Sequence, residues 1–384
     1  MKSIGIICEY NPFHNGHLYH IKKIKEMYPD YTIILVMSGN FTQRGDVSIL
    51  NKWDKTDIAL ENKIDLVVEL PFIFSTQSAD IFSKGSIEIL NILKVDKIVF
   101  GSECNDINIL TELAHTQIYN KEYDKLVKKY IDEGINYPTA MSKALTHFNN
   151  YKIDSPNDLL GLSYIKEILK QKSNIEPICI KRTNDFHSSE LKGNIVSASS
   201  IRNALRNKKN IKKYVPNNCL KHLKKNTVFT EDYFELLKYK ILTSKDLSIY
   251  QTVDEGIENR IKKYIVGSKN LNELIENIKT KRYTYNKLNR MFIHILCDFT
   301  KNEAKKHRNI EYIRILGFNK IGKNYLNKIK KETNVPIITN FSSIKNEMLS
   351  IEFRTTCVYA SIFDEENKIK IIESEFKNKP KMKD

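Results

Sequence analysis

The sequence predicts an α/β protein: a Rossmann-like, doubly wound parallel sheet followed by a second, mostly helical basic domain. Three observations predict it. Short apolar runs alternate with helical stretches over residues 1–210, the pattern of a parallel sheet covered on both faces. The alternation gives way near Lys208-Lys209-Asn210 to segments with helical periodicity. The charge changes at the same place. Residues 1–210 hold 27 Lys and Arg against 25 Asp and Glu, whereas residues 211–384 hold 35 against 21, a net of +14 out of +16.

Ile4-Gly5-Ile6-Ile7-Cys8 reads as the first buried strand, and Leu18, Ile21 and Ile24 follow at helical spacing. Thr32 to Met37 is a second strand, and Leu66 to Leu70 a third, stopped by Pro71. A helix with Ala79, Phe82, Ile87, Leu90 and Leu93 leads to a fourth strand, Lys97 to Gly101, and further helices lead to a strand around Ile178-Cys179-Ile180. Beyond residue 210, helices are predicted over 230–242, 254–265, 270–279 and 284–300. Strands are predicted over 311–316 and at 336–339, with a helix near 320–331 between them. The domain boundaries are therefore set at 1–210 and 211–384.

At 384 residues, 41% hydrophobic and 28% charged, the chain has the composition of a soluble protein with room for two domains. Six scattered cysteines with no C-x-x-C spacing point away from zinc ribbons and dithiol redox sites, and toward core residues in a reducing compartment. No signal-peptide pattern and no apolar run of spanning length occur. The expectation is a cytoplasmic protein without a membrane partner. The basic second half suits a polyanion, most simply nucleic acid.

Two motifs carry chemistry. His14-Asn15-Gly16-His17 lies at the junction of the first strand and helix. A helix start offers backbone amides and a partial positive charge to phosphate. Gly16 lets a phosphate approach the backbone, and two imidazoles at i and i+3 can donate to departing pyrophosphate. Ser197-Ala198-Ser199-Ser200-Ile201-Arg202 is the second motif. Ser199 is placed as a helix cap with Arg202 one turn in, a second phosphate clamp. Together they imply attack on the α-phosphate of a nucleotide, with His14, His17, Ser199 and Arg202 as the catalytic set.

The pair of motifs is that of the H-x-G-H nucleotidyltransferase superfamily, and a wider set resembles one family within it. Tyr10 to His17, Met37 to Gly45, Phe100 to Glu103, Ser155 to Gly161, Lys181-Arg182 and Tyr312 to Phe318 together resemble the bacterial tRNA(Met) cytidine acetate ligases. The resemblance implies a nucleotidyltransferase-type fold and a ligase that activates acetate with ATP as acetyl-adenylate. The acetyl group would pass to N4 of the wobble cytidine of elongator tRNA(Met), leaving AMP and pyrophosphate. It also implies that ATP is held by Ile7, Cys8, Glu9, Tyr10, Asn11, Pro12, Phe13, His14, Asn15, Gly16, His17, Leu18, Tyr19 and His20, and by Gly101, Asn157 and Arg182. Mg2+ is expected to accompany ATP from the chemistry of ATP itself, since no dedicated metal cluster stands out. Asn40, Gln43 and Arg44 sit between Gly39 and Gly45, glycines that suggest a loop able to close over substrate.

Contact with tRNA is expected from Lys281, Arg282 and Arg290, which are interleaved with tyrosines, and from Lys305, Lys306 and Arg308. Two other readings compete. An adenylyltransferase acting on a small phosphorylated metabolite would need no basic second half. A non-catalytic RNA-binding protein would not need His14, Gly16, His17, Ser199 and Arg202 intact.

Overall fold

The computed structural model describes residues 1–148, 155–182, 195–224 and 227–384. Its strands are β1 (Ser3–Cys8), β2 (Thr32–Ser38), β3 (Leu66–Leu70), β4 (Lys97–Ser102), β5 (Glu176–Lys181), β6 (Ile313–Phe318), β7 (Ile337–Ile338) and β8 (Lys381–Met382). They form one sheet in the order β5-β4-β1-β2-β3-β6-β7, with β8 beside β6. Neighbours from β5 through β3 run parallel, and β6 joins β3 antiparallel. The predicted α/β class and mostly parallel sheet are thus the observed ones.

Apolar alternation explains the layers. On β2, Ile34 and Val36 enter one core, while Ile33, Leu35 and Met37 enter the core on the opposite face. Every residue of β2 and β3 is buried, which is why these strands read as unbroken apolar runs. Chain order reverses at β1, which lies between β2 and β4. A doubly wound sheet opens its ligand crevice at such a reversal, beyond the carboxyl ends of the strands.

The helices Phe234–Thr243, Ile257–Ile265, Leu271–Ile278 and Tyr285–Leu296 surround a third core that includes Leu237, Ile261, Leu274 and Met291. The chain beyond residue 210 is not confined to these helices. The strand predicted over 311–316 enters the first sheet as β6, and β7 and β8 extend it, so the sheet itself crosses the expected boundary.

A buried ionic network ties the two parts together. The Lys52 Nζ stands 2.5 Å from Glu69, 2.9 Å from Glu375 and 3.4 Å from Glu352. Arg314 Nη1 lies 2.5 Å from Glu375 and 3.1 Å from Glu69. All five side chains are at most 3% exposed, so each depends on the others for the solvation that water would supply. Burial works against charge on Glu375, but Arg314 and Lys52 outweigh it and hold that carboxyl near 2. Burial, reinforced by Glu69, pushes Glu352 up to about 8. Glu352 is therefore the carboxyl that takes up a proton more readily than Glu375.

Candidate active site

The crevice at the chain reversal is a cavity of about 490 Å3 lined by the ends of β1, β4 and β5 and by the helix starts that follow. The helix α1 (Asn15–Met27) begins there with His14 as its N-cap. The Gly16 amide donates to His14 Nδ1 at 3.0 Å, and the His14 amide donates to His17 Nδ1 at 3.2 Å. The rings stack at 3.9 Å. Burial pushes the His14 pKa down to about 3, and burial with the neighbouring His14 takes that of His17 well below its usual value. Each neutral ring has Nδ1 occupied as an acceptor, so each carries its proton on Nε2. Two fixed N–H donors at the end of a strand are what a departing pyrophosphate requires.

Two details differ from the sequence expectation. The first amides of α1 already have partners: Asn15 N donates to Tyr214 O, Gly16 N to the His14 ring, and His17 N and Leu18 N to His14 O. The donors that the start of α1 brings to the cavity are therefore the imidazoles and not open amides. Gly16 is also needed for a nearer reason than phosphate approach. A Cβ there would stand 2.7 Å from the His14 ring, which folds back over it.

The remaining expected residues converge on the same cavity. Gly101 lies near the end of β4, where a Cβ would press on the Arg182 side chain at 3.1 Å. Arg182, just past β5, donates to Asn157 Oδ1 at 3.2 Å and lies 3.5 Å from Glu103. Asn157 donates in turn to Glu103 at 2.5 Å. Glu103 thus aims both side chains, a positioning role that a lone acidic residue after a strand did not signal. Asn157 lies in the first turn of the helix Pro156–Lys170, which Ser155 precedes.

Ser199 and Arg202 come from the helix Ala198–Arg206, and both line the cavity. The cap is Ser197, whose Oγ accepts from Ser200 N; Ser199 lies inside the first turn, two residues later than a cap. Arg202 donates to Asn11 O at 2.8 Å and to Asp46 at 2.9 Å. The loop expected to be mobile is anchored. Thr42 N bonds Asp46 O, Gly45 N bonds Thr42 O, and Gln43 N donates to Glu9 at 2.6 Å. Lys55 Nζ, from the helix α2 (Lys52–Glu61), donates to Glu9 O, Ser38 O and Gly39 O and so pins the ends of β1 and β2.

The basic residues separate into two groups. Lys281, Arg282, Lys305, Lys306 and Arg308 are exposed; Lys306 pairs with Glu347, and Arg282 lies 3.9 Å from Glu255. Arg290 is half-buried and lines the cavity with Thr284 and Asn286. Among the described residues, no group of three or more His, Cys, Asp or Glu side chains is arranged to hold a metal ion. No helix among them is long and apolar enough to cross a membrane.

Stacked neutral histidines at the first strand end, facing serine and arginine from a distant helix start, define a nucleotidyltransferase of the H-x-G-H class. A family model described as HIGH Nucleotidyl Transferase matches residues 1–374. Within that class the chain belongs to the tRNA(Met) cytidine acetate ligase family. It is 40% identical to the Caldicellulosiruptor saccharolyticus protein of that name, over 99% of this chain and 98% of the relative. It is 38% identical to the one from Geobacillus sp. (strain WCH70), over 99% of each. The apo crystal structure of Thermotoga maritima TmcAL superposes with a TM-score of 0.92 at 30% identity, covering 100% of this chain and 99% of that one. The same Thermotoga protein bound with alpha-thio ATP superposes with a TM-score of 0.90 at 29% identity over the same shares.

Proposed function

We propose that this protein activates acetate with ATP and transfers the acetyl group to N4 of the wobble cytidine of elongator tRNA(Met). The observation that carries the reading is the histidine pair. Both rings are neutral and both Nδ1 atoms are occupied, so two Nε2–H donors are fixed at the mouth of the cavity. Family membership supports the same chemistry. In the first step an acetate oxygen attacks the α-phosphorus, the bond to the β-phosphate oxygen breaks, and pyrophosphate leaves against His14, His17 and Ser199. Arg202, held by Asp46 and Asn11, adds positive charge beside them. In the second step the cytidine N4 attacks the acetyl carbonyl, the bond to the adenylate oxygen breaks, and N4-acetylcytidine, AMP and a proton result.

The loop from Ile7 to His20 with Gly101, Asn157 and Arg182 holds the nucleotide. Mg2+ would enter with ATP as part of the substrate and would offset charge on its phosphates. The exposed cations Lys281, Arg282, Lys305, Lys306 and Arg308 supply long-range attraction to tRNA, and the reaction takes place in the cytoplasm, where ATP and tRNA are found. Pyrophosphate release from ATP, measured with acetate and with longer carboxylates, each with and without tRNA, tests the reading. Acetate-dependent release without tRNA is expected. An absolute need for tRNA, or release that depends on a phosphorylated metabolite and not on a carboxylate, overturns it.

A further inference from the structure

We infer that Arg290 is a phosphate-binding residue of the nucleotide site, supplied by the helical second half, and that it holds the polyphosphate of ATP. The inference rests on the reading that ATP occupies this cavity. Arg290 lies on the helix Tyr285–Leu296, far along the chain from the strands that build the site, yet it lines the same cavity as His14, His17 and Arg202. Its Nη1 donates to Gln43 O at 3.3 Å. Its Nε is fully shielded and has no hydrogen-bond partner among the described residues. No carboxylate lies within ion-pair distance of it there, whereas Arg202 has Asp46 and Arg182 has Glu103.

Two guanidiniums thus hang on one short turn, Arg202 through Asp46 and Arg290 through the Gln43 carbonyl. Among the described residues Asp46 is the carboxylate within ion-pair distance of either guanidinium, while Glu9 accepts from the Gln43 amide on the same turn. Burial lowers the Arg290 pKa to about 10, which still leaves it cationic at neutral pH. Nε is shielded from the cavity, so the hydrogens on the Nη atoms that Gln43 O does not take are what the guanidinium offers to a multivalent anion. Arg290 shares the lining of this cavity with His14, His17 and Arg202, which suits a small triphosphate better than an RNA backbone. Gly45 packs directly against the Asn289–Arg290 backbone, which sets the position of Arg290 relative to the turn.

The test uses full-length protein and compares ATP, AMP and tRNA binding for the parent, Arg290→Ala and Arg290→Lys. Removing a charge-assisted hydrogen bond with Ala should raise the ATP dissociation constant by about 10–100-fold. Binding of AMP, which lacks the polyphosphate, should change less than about twofold, as should tRNA binding measured without nucleotide. Lys keeps the charge but not the fork, and should fall between parent and Ala; it decides the matter if Ala does not fold. Equal weakening of ATP and AMP, or unchanged ATP affinity with weakened tRNA, overturns the assignment, the latter making Arg290 an RNA contact. A parent that binds no ATP overturns the underlying reading, a result distinct from a parent that binds ATP and variants that bind it equally well.

Discussion

Gly45 and Arg290 meet backbone to backbone: a Cβ on Gly45 would stand 2.2 Å from the Arg290 amide nitrogen. Gly45 also has a φ of +80°, where an L side chain is disfavoured. The contact joins the turn after β2 to the helix that carries Arg290. It explains why a glycine that looks like a hinge in the sequence is a point of close packing in the fold.

Gly45→Ala should therefore act on stability and on nucleotide affinity together. The left-handed backbone and the overlap with the helix combine to cost about 2–4 kcal/mol. Denaturant unfolding should show the loss, and ATP affinity should fall with it as Arg290 is displaced. Parent-like stability would show that the helix can yield at this point.

The histidines separate by role. His17→Ala should fold normally, bind ATP and slow pyrophosphate release by about 10²–10³-fold. His14 also caps α1, so His14→Ala should lose about 1 kcal/mol of stability in addition. His14→Asn restores a capping acceptor and should recover that stability without recovering activity. The His14 pKa near 3 gives a second check. Below the unfolded value of about 6.5 the unfolded chain takes up a proton that the folded chain refuses, so stability falls as pH drops from 6.5 toward 3. Relative to pH 7, His14 should account for up to about 2 kcal/mol of loss at pH 5. His14→Asn should show a correspondingly smaller pH dependence in unfolding measurements, and an unchanged one would contradict neutral burial.

The ionic network predicts that the first 210 residues do not fold alone. Without β6 and the C-terminal helices, Lys52 and Glu69 lose Arg314, Glu352 and Glu375, and β3 is left as an open edge. Arg314→Met in the full chain should cost about 3–5 kcal/mol, because Glu69 and Glu375 stay buried with one cation fewer. A fragment 1–210 with a cooperative unfolding transition would refute this.

Much of the fold is legible in the sequence, and the failures share a cause. Leu66 to Leu70 is a buried strand because every residue is apolar or, at Glu69, carries a partner that the local sequence does not show. That partner, Arg314, lies 245 positions away, and no periodicity links the two. The strand at 313–318 is readable as a strand. Its antiparallel place beside β3 is not, because pairing partners are chosen by tertiary packing. His14, His17 and Arg182 can be found from sequence because strand ends converge at a chain reversal, and Arg202 because its serine-rich motif accompanies the histidine motif. Arg290 reads as an outward cation from its basic, aromatic neighbours; the turn that faces it is 247 residues upstream. The sequence reading places the cap at Ser199, and only the helix geometry moves it to Ser197.

The exposed cations should control tRNA affinity without touching activation. Replacing Lys281, Arg282, Lys305 and Arg308 with alanine should weaken tRNA binding and flatten its salt dependence, since each phosphate left without its cation reduces the slope by about 0.7–0.9. Acetate-dependent pyrophosphate release without tRNA should stay within about twofold of the parent. Unchanged tRNA affinity would place the RNA footprint on another face.

The most direct measurement of the central claim is the product itself. Full-length protein is incubated with ATP, labelled acetate and elongator tRNA(Met), and the tRNA is digested to nucleosides. The account predicts labelled N4-acetylcytidine from the wobble position, one AMP and one pyrophosphate per acetyl group, and formation of all three slowed by about 10²–10³-fold with His17→Ala. Label absent from cytidine while AMP appears covalently joined to the tRNA or to a small phosphorylated metabolite would contradict it.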